Sequence, residues 1–163
     1  TLKAVAMKWF VKCINNYVNF RGRARRAEFW YFVLFSTILA VVASILDSIV
    51  FSSSQHIFYG LLGLFLFLPG LAVQVRRLHD TNRSGKLLLW MLLAYVIWIA
   101  LLFVFGLGAF LSGGSASASV LFLALAIVGS IAFLVWCIFF LVWYCTPGTP
   151  GDNQYGPDPK AEA

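Results

Sequence analysis

Four long apolar runs set the pattern of this chain, at about 29–51, 57–75, 87–111 and 120–144. A helix rises ~1.5 Å per residue, and a bilayer's hydrocarbon core is about 30 Å thick. Each run therefore predicts one transmembrane helix. Phe29, Trp30 and Tyr31 open the first run, and Trp143 and Tyr144 close the fourth, where interfacial aromatic belts stand. Pro69-Gly70 interrupts the second run and predicts a kink. Ala126 and Ser130 give the fourth a small-x-x-x-small pair.

Ahead of the runs, residues 4–20 show a different period. Ala6, Trp9, Phe10, Cys13, Ile14, Tyr17 and Val18 recur every three or four positions, and Lys8, Lys12, Asn15, Asn16 and Asn19 take the other face. This predicts an amphipathic helix lying in the plane of the membrane interface. The alternative is a helix packed on the bundle's own cytoplasmic end. Lys8, Lys12 and the asparagines do not fit a cleaved signal peptide. Thr1 to Ala6, ahead of Met7, read as an upstream extension or a cloning remnant. Gly22 offers a bend before the first span.

Between the spans, 52–56 is a short uncharged loop and 112–119 (SGGSASAS) a flexible one. The segment 76–86 reads as a polar loop. In the tail, 145–163, four prolines and three glycines between residues 146 and 160 predict turns and extended pieces in place of a helix. The fold class is thus an all-α membrane protein. It is one polytopic domain of four transmembrane helices with an N-terminal amphipathic interfacial helix and an irregular Pro/Gly-rich C-terminal tail.

Composition agrees. The chain is 61% hydrophobic and 11% charged, with a net charge of +6; a soluble domain carries about 25% charged residues. The charge does not point to nucleic acid, because basic residues stand at the ends of apolar runs, as topology signals do. All twelve Lys and Arg lie in the N-terminal region, in 76–86, or at Lys160. The positive-inside rule then places both termini and the central segment in the cytoplasm, and four spans satisfy the parity.

This topology brings 21–28, 76–86 and 146–160 to one membrane face. The candidate ligand-binding set there is Arg21, Arg23, Arg26, Arg76, Arg77, His79, Asp80, Arg83 and Asn153. Guanidinium forks match the geometry of phosphate and carboxylate, so an anionic phospholipid headgroup or a phosphorylated small molecule suits the set. The competing reading pairs the arginines with Glu28, Asp80 and Asp152 and locks the segments together. His79 beside Asp80 invites acid–base chemistry, but adjacent residues do not generally face each other. Cys13, Cys137 and Cys145 lack C-x-x-C spacing and predict free thiols. His56 falls on the opposite face from His79. No metal site or cofactor is expected. Asp47 lies ~27 Å beyond Phe29 at ~1.5 Å per residue, near the far interface, where a capping role outweighs an ion pathway.

Three ordered motifs carry a family resemblance. Tyr17 to Phe20 lead into Arg21-Gly22-Arg23-x-x-Arg26-x-Glu28-Phe29-Trp30. Arg76-Arg77-Leu78-His79-Asp80-x-x-Arg83-Ser84-Gly85 follows. Pro147-Gly148-Thr149-x-Gly151-x-Asn153-x-Tyr155-Gly156-Pro157-Asp158-Pro159 closes the series. The chain resembles the domain of unknown function 805 family, the YhaH-type bacterial inner-membrane proteins, over about residues 7–160. The resemblance implies a small polytopic fold in a bacterial cytoplasmic membrane and carries over no catalytic residue. The expectation is a non-enzymatic protein whose arginine-rich face binds anionic lipid or a protein partner, with homo-oligomers included. A small oligomeric transporter or channel, suggested by Asp47 and Pro69-Gly70, is one alternative. A membrane-embedded enzyme acting on a lipid headgroup is the other.

Overall fold

The computed structural model describes residues 2–51, 55–111, 113 and 115–161. The helices among them are α1 (Leu2–Asn15), α2 (Arg26–Val50), α3 (Ile57–Asp80), α4 (Lys86–Leu111) and α5 (Ala116–Cys145). Each of α2 to α5 is long and apolar enough to cross a membrane. Of the two expected outer loops, residues 52–54, 112 and 114 lie outside the described residues.

The helix limits depart from expectation in ways that have physical causes. α1 stops at Asn15 and does not reach residue 20. The Asn16 side chain donates to Lys12 O at 2.9 Å and Asn19 donates to Asn16 Oδ1 at 3.0 Å, so asparagines compete with the helical backbone. Gly22 then turns the chain at φ +81°, a left-handed conformation that a side chain would strain. α5 begins at Ala116, inside the expected loop 112–119, because alanine is the strongest helix former.

The larger correction concerns 76–86. Residues 76–80 are not loop; they are the last turn and more of α3, which ends at Asp80. The end is a Schellman motif. Asn82 takes φ +57°, its N–H donates to His79 O at 3.0 Å, and Arg83 N–H donates to Leu78 O at 2.9 Å. The turn of charged residues stays helical because carboxylates neutralise its arginines.

Two compact units make up the chain, Thr1–Gly85 with Tyr144–Ala163, and Lys86–Trp143. In the first, α2 and α3 run antiparallel: Asp47 near the end of α2 meets the start of α3, and Glu28 at the start of α2 meets Arg76 near the end of α3. α1 packs on both, with Phe10 against Phe32 and Phe35 at 5.7 and 5.4 Å between ring centres. Cys13, Ala24, Phe29, Phe32, Ala72, Val73 and Leu78 form the buried apolar core.

Asp47 is the cap of α3. It is 1% exposed, and its two oxygens accept Phe58 N–H at 2.8 Å and Tyr59 N–H at 2.9 Å. These are free amides of the first helical turn, and His56, at the N-cap position, makes no side-chain cap bond. Pro69 lies inside α3, which continues through it. A proline lacks the N–H that would bond the carbonyl four residues back. That carbonyl is Phe65 O, and it accepts the Tyr17 hydroxyl at 2.5 Å.

The second unit contains α4 and most of α5. Tyr95 and Trp98 of α4 pack on Phe133 of α5, with ring centres 4.9 and 6.4 Å away. Trp98 lies so close over Gly129 that a Cβ there would collide with the indole. Residues 146–161 form no helix or strand; Asn153 and Gly156 make an isolated antiparallel bridge.

Candidate functional site

The first unit gathers its polar side chains into a cap at the Asp80 end of α3. Asp80 is the centre, 4% exposed. Its Oδ1 accepts Arg23 Nε at 3.0 Å, and its Oδ2 accepts Arg77 Nη1 from one turn earlier in the same helix. Both guanidiniums then reach the tail. Arg23 donates to Thr149 O and Gly151 O, each at 2.6 Å. Arg77 donates to Thr146 O and to Tyr144 O, the latter at 3.2 Å. One carboxylate and four backbone carbonyls therefore neutralise or solvate two buried cations. Thr149 N–H returns a bond to Asp80 O at 2.9 Å, so the tail also satisfies the end of the helix. Gly148 is required here by close approach, since a Cβ would fall on the Asp80 carboxylate.

A second pair lies beside it. Arg76 Nη1 donates to Glu28 Oε1 at 2.6 Å, with Glu28 fully buried and Arg76 3% exposed. Lys12 Nζ of α1 stands 3.4 Å from Glu28 Oε2. The Cys13 thiol is 3.8 Å from Glu28 Oε1. Desolvation pushes that thiol up to about 12 from 9.0, and the Glu28 charge adds to the shift, so Cys13 is protonated and inert. Arg76 Nε and Nη2 are buried without hydrogen-bond partners among the described residues.

His79 and Asp80 point to different neighbours. His79 Nδ1–H donates to Gly22 O at 3.2 Å, and its ring stacks on Tyr155 at 3.9 Å with 1° between the planes. Asn153 donates to His79 O and to Thr149 Oγ1, both at 3.0 Å. The tail is thus held by a ring stack, an amide and two arginines. Arg25 adds a third, donating to Pro159 O at 2.5 Å while its guanidinium covers the Trp9 ring at 5.6 Å.

Of the nine residues named from the sequence, Arg23, Arg77, His79, Asp80 and Asn153 come together in this cluster, and Arg76 stands in the adjoining pair. Arg21, Arg26 and Arg83 are outside it. Arg21 and Arg26 are exposed, and Arg26 Nη1 lies 3.3 Å from Cys145 O. Arg83 is half-buried and donates to Thr81 O at 3.3 Å. Among the described residues Asp152 pairs with no arginine; it accepts the Asp158 N–H at 3.0 Å. Sequence reasoning missed Lys12, Cys13, Arg25 and Thr149. Cys13 and Lys12 were visible as α1 positions, but nothing local says that they turn toward Glu28. Among the described residues no three His, Cys, Asp or Glu side chains gather closely enough to hold a metal ion.

The family model for "Protein of unknown function (DUF805)" matches residues 17–157, which contain the Asp80 cluster and all the spans. The chain is 37% identical to the inner membrane protein YhaH of Escherichia coli K12 over 159 residues, covering 96% of this chain and 99% of that protein. It is 34% identical to the inner membrane protein YhaI of the same organism over 154 residues, covering 94% of this chain and 97% of that protein. No solved structure matches. With these relatives the four apolar helices are those of a multi-pass bacterial inner-membrane protein. The chain belongs to the DUF805 family.

Proposed function

We propose that the protein is non-enzymatic and that its cap, on the cytoplasmic side, binds anionic phospholipid headgroups at its exposed rim. The arginines divide into two classes. Arg23, Arg76 and Arg77 are buried against carboxylates and tail carbonyls and hold the cap together. Arg21 and Arg26 are exposed, as is Lys8 on α1.

The observation that carries the reading is the company these exposed cations keep. Met7, Val11, Val18, Phe20 and Trp30 are large apolar side chains, and all are exposed. Apolar groups interleaved with cations at the end of a set of spans suit a surface that dips into the headgroup region. α1 then lies in the interface with Met7 and Val11 toward lipid, while Phe10 and Cys13 face α2 and α3.

Each Lys or Arg at an anionic surface contributes about 1 kcal/mol. Removing two should weaken retention of anionic lipid by roughly thirtyfold. Native mass spectrometry of protein released from mixed phosphatidylglycerol and phosphatidylcholine nanodiscs reads this directly. The unaltered protein should carry phosphatidylglycerol in preference, and Arg21→Gln/Arg26→Gln should lose the preference while keeping its thermal stability. Equal lipid profiles for the two would overturn the proposal and direct attention to a protein partner for the same rim.

A further inference from the structure

Residues 146–161 run over the Asp80 end of α3 without burying one residue of their own, while Arg23, Asp80 and Thr81 beneath them are buried. Much of the bonding in 151–158 is internal. Asn153 and Gly156 exchange N–H bonds at 3.1 and 3.0 Å, and the Asp158 carboxylate accepts Gly151 N–H at 3.1 Å. A segment with its own bonds and little buried surface belongs to the least stable part of a fold, and can lift as a piece.

Its anchors are arginines, and the acceptors it offers them are neutral. Arg23 Nη1 and Nη2 hold Gly151 O and Thr149 O, each at 2.6 Å. Arg25 closes Nε and Nη2 around Pro159 O. Oxygens set on the two nitrogens of one guanidinium edge are the arrangement of a bound phosphate or carboxylate, here without the charge. The charge is needed. Arg23 shares Asp80 with Arg77, and Arg25 pairs with no carboxylate among the described residues. Three guanidiniums are thus matched by one carboxylate, apart from Asp158 on the segment itself.

We infer that the tail is a releasable strap, and that Arg23 and Arg25 form a binding site for a phosphate monoester once it lifts. Residues 149–161 move away, while Arg77 keeps its bonds to Tyr144 O, Thr146 O and Asp80. Phosphate oxygens then take the guanidinium edges that Thr149 O, Gly151 O and Pro159 O leave. A phosphate monoester carries about −1.5 to −2 charges near pH 7, which matches the excess. The closed tail is an autoinhibitory ligand of this site. The site is separate from the rim of Arg21 and Arg26.

The test is amide hydrogen exchange of the full chain in phosphatidylcholine nanodiscs at neutral pH. Thr149, Asn153 and Gly156 N–H groups are bonded in the closed strap. They should exchange through an opening that leaves α2 and α3 protected. A ligand that binds only the open form increases that opening, so phosphate should speed exchange at these amides, saturably. Inorganic phosphate in solution and phosphatidic acid in the disc are separate arms, and the arm that saturates names the source, free ion or lipid. Tyr155→Ala removes the stack on His79 but no partner of an arginine. It should lower the half-saturating concentration roughly fivefold, the worth of one aromatic pair. Adding Arg25→Gln to Tyr155→Ala should raise it again by about tenfold or more, as loss of a charged donor does. The inference is overturned if the strap exchanges only with global unfolding, or if phosphate slows its exchange or leaves it unchanged. It is also overturned if sodium chloride at equal ionic strength has the same effect, or if Arg25→Gln changes nothing beyond Tyr155→Ala. Loss of the response in Arg21→Gln/Arg26→Gln would assign it to the rim and overturn it too. Should Tyr155→Ala fail to fold, the response of the unaltered protein still decides the matter.

Discussion

Asp80 serves two guanidiniums, and Glu28 serves one with a lysine behind it. The two carboxylates should therefore differ in consequence. Removing one partner of a buried ion pair costs about 3–5 kcal/mol, because the other charge is left unsolvated. Asp80→Asn should lower the thermal unfolding midpoint in detergent more than Glu28→Gln does, since it strands both Arg23 and Arg77. Equal midpoints would show that the tail carbonyls alone suffice for those arginines. Cys13 gives the pH dependence. Its folded value, about 12, lies above the ordinary 9.0, so the native state favours the neutral thiol. The stability this contributes is complete below pH 9.0 and is lost as pH rises toward 12. At pH 8 a small alkylating reagent should modify exposed Cys145 and spare Cys13 until the protein unfolds. The sequence made Arg23, Arg76, Arg77 and Asp80 candidates by type, but not their burial. Burial depends on partners between 48 and 128 positions away, which no local pattern encodes.

At the scale of elements, each irregularity in a helix is answered by a neighbour. Pro69 frees Phe65 O, and Tyr17 takes it; Tyr17→Phe should cost about 1 kcal/mol, the net worth of a single hydrogen bond. Asp47 caps α3 from α2, and Asp47→Ala should cost about 1–2 kcal/mol, with Asp47→Asn in between because one oxygen acceptor remains. Thermal denaturation of the three variants in one detergent orders them. A fully stable Asp47→Ala would remove the capping role and reopen an ion-pathway reading of this residue. The spans themselves were legible, because length and apolar content specify a transmembrane helix almost without context. Their ends were less so. α3 runs five residues past its expected limit, and the only local sign was Asn82, a residue that tolerates the left-handed C′ position. Charge at 76–80 argued for loop when its partners were out of view.

For the whole molecule, the polar segments 21–28, 76–86 and 146–160 meet in a single cap in the first unit. Their convergence was legible from charge placement, since the other connections carry no Lys or Arg. The cap's side of the membrane rests on that same asymmetry. If it is cytoplasmic, exposed Arg21 and Arg26 face a leaflet with anionic lipid, and His56 and Gln55 face the periplasm. The decisive measurement is thiol labelling in bacterial cells with a permeabilised outer membrane. It uses a membrane-impermeant maleimide and a chain in which the three native cysteines are serine. Single cysteines are placed at Arg21, Asp158 and His56. Protection of the first two until the inner membrane is breached, with immediate labelling at position 56, is the expected result. Labelling of position 21 or 158 from outside intact cells, or protection at 56, would contradict a cytoplasmic cap.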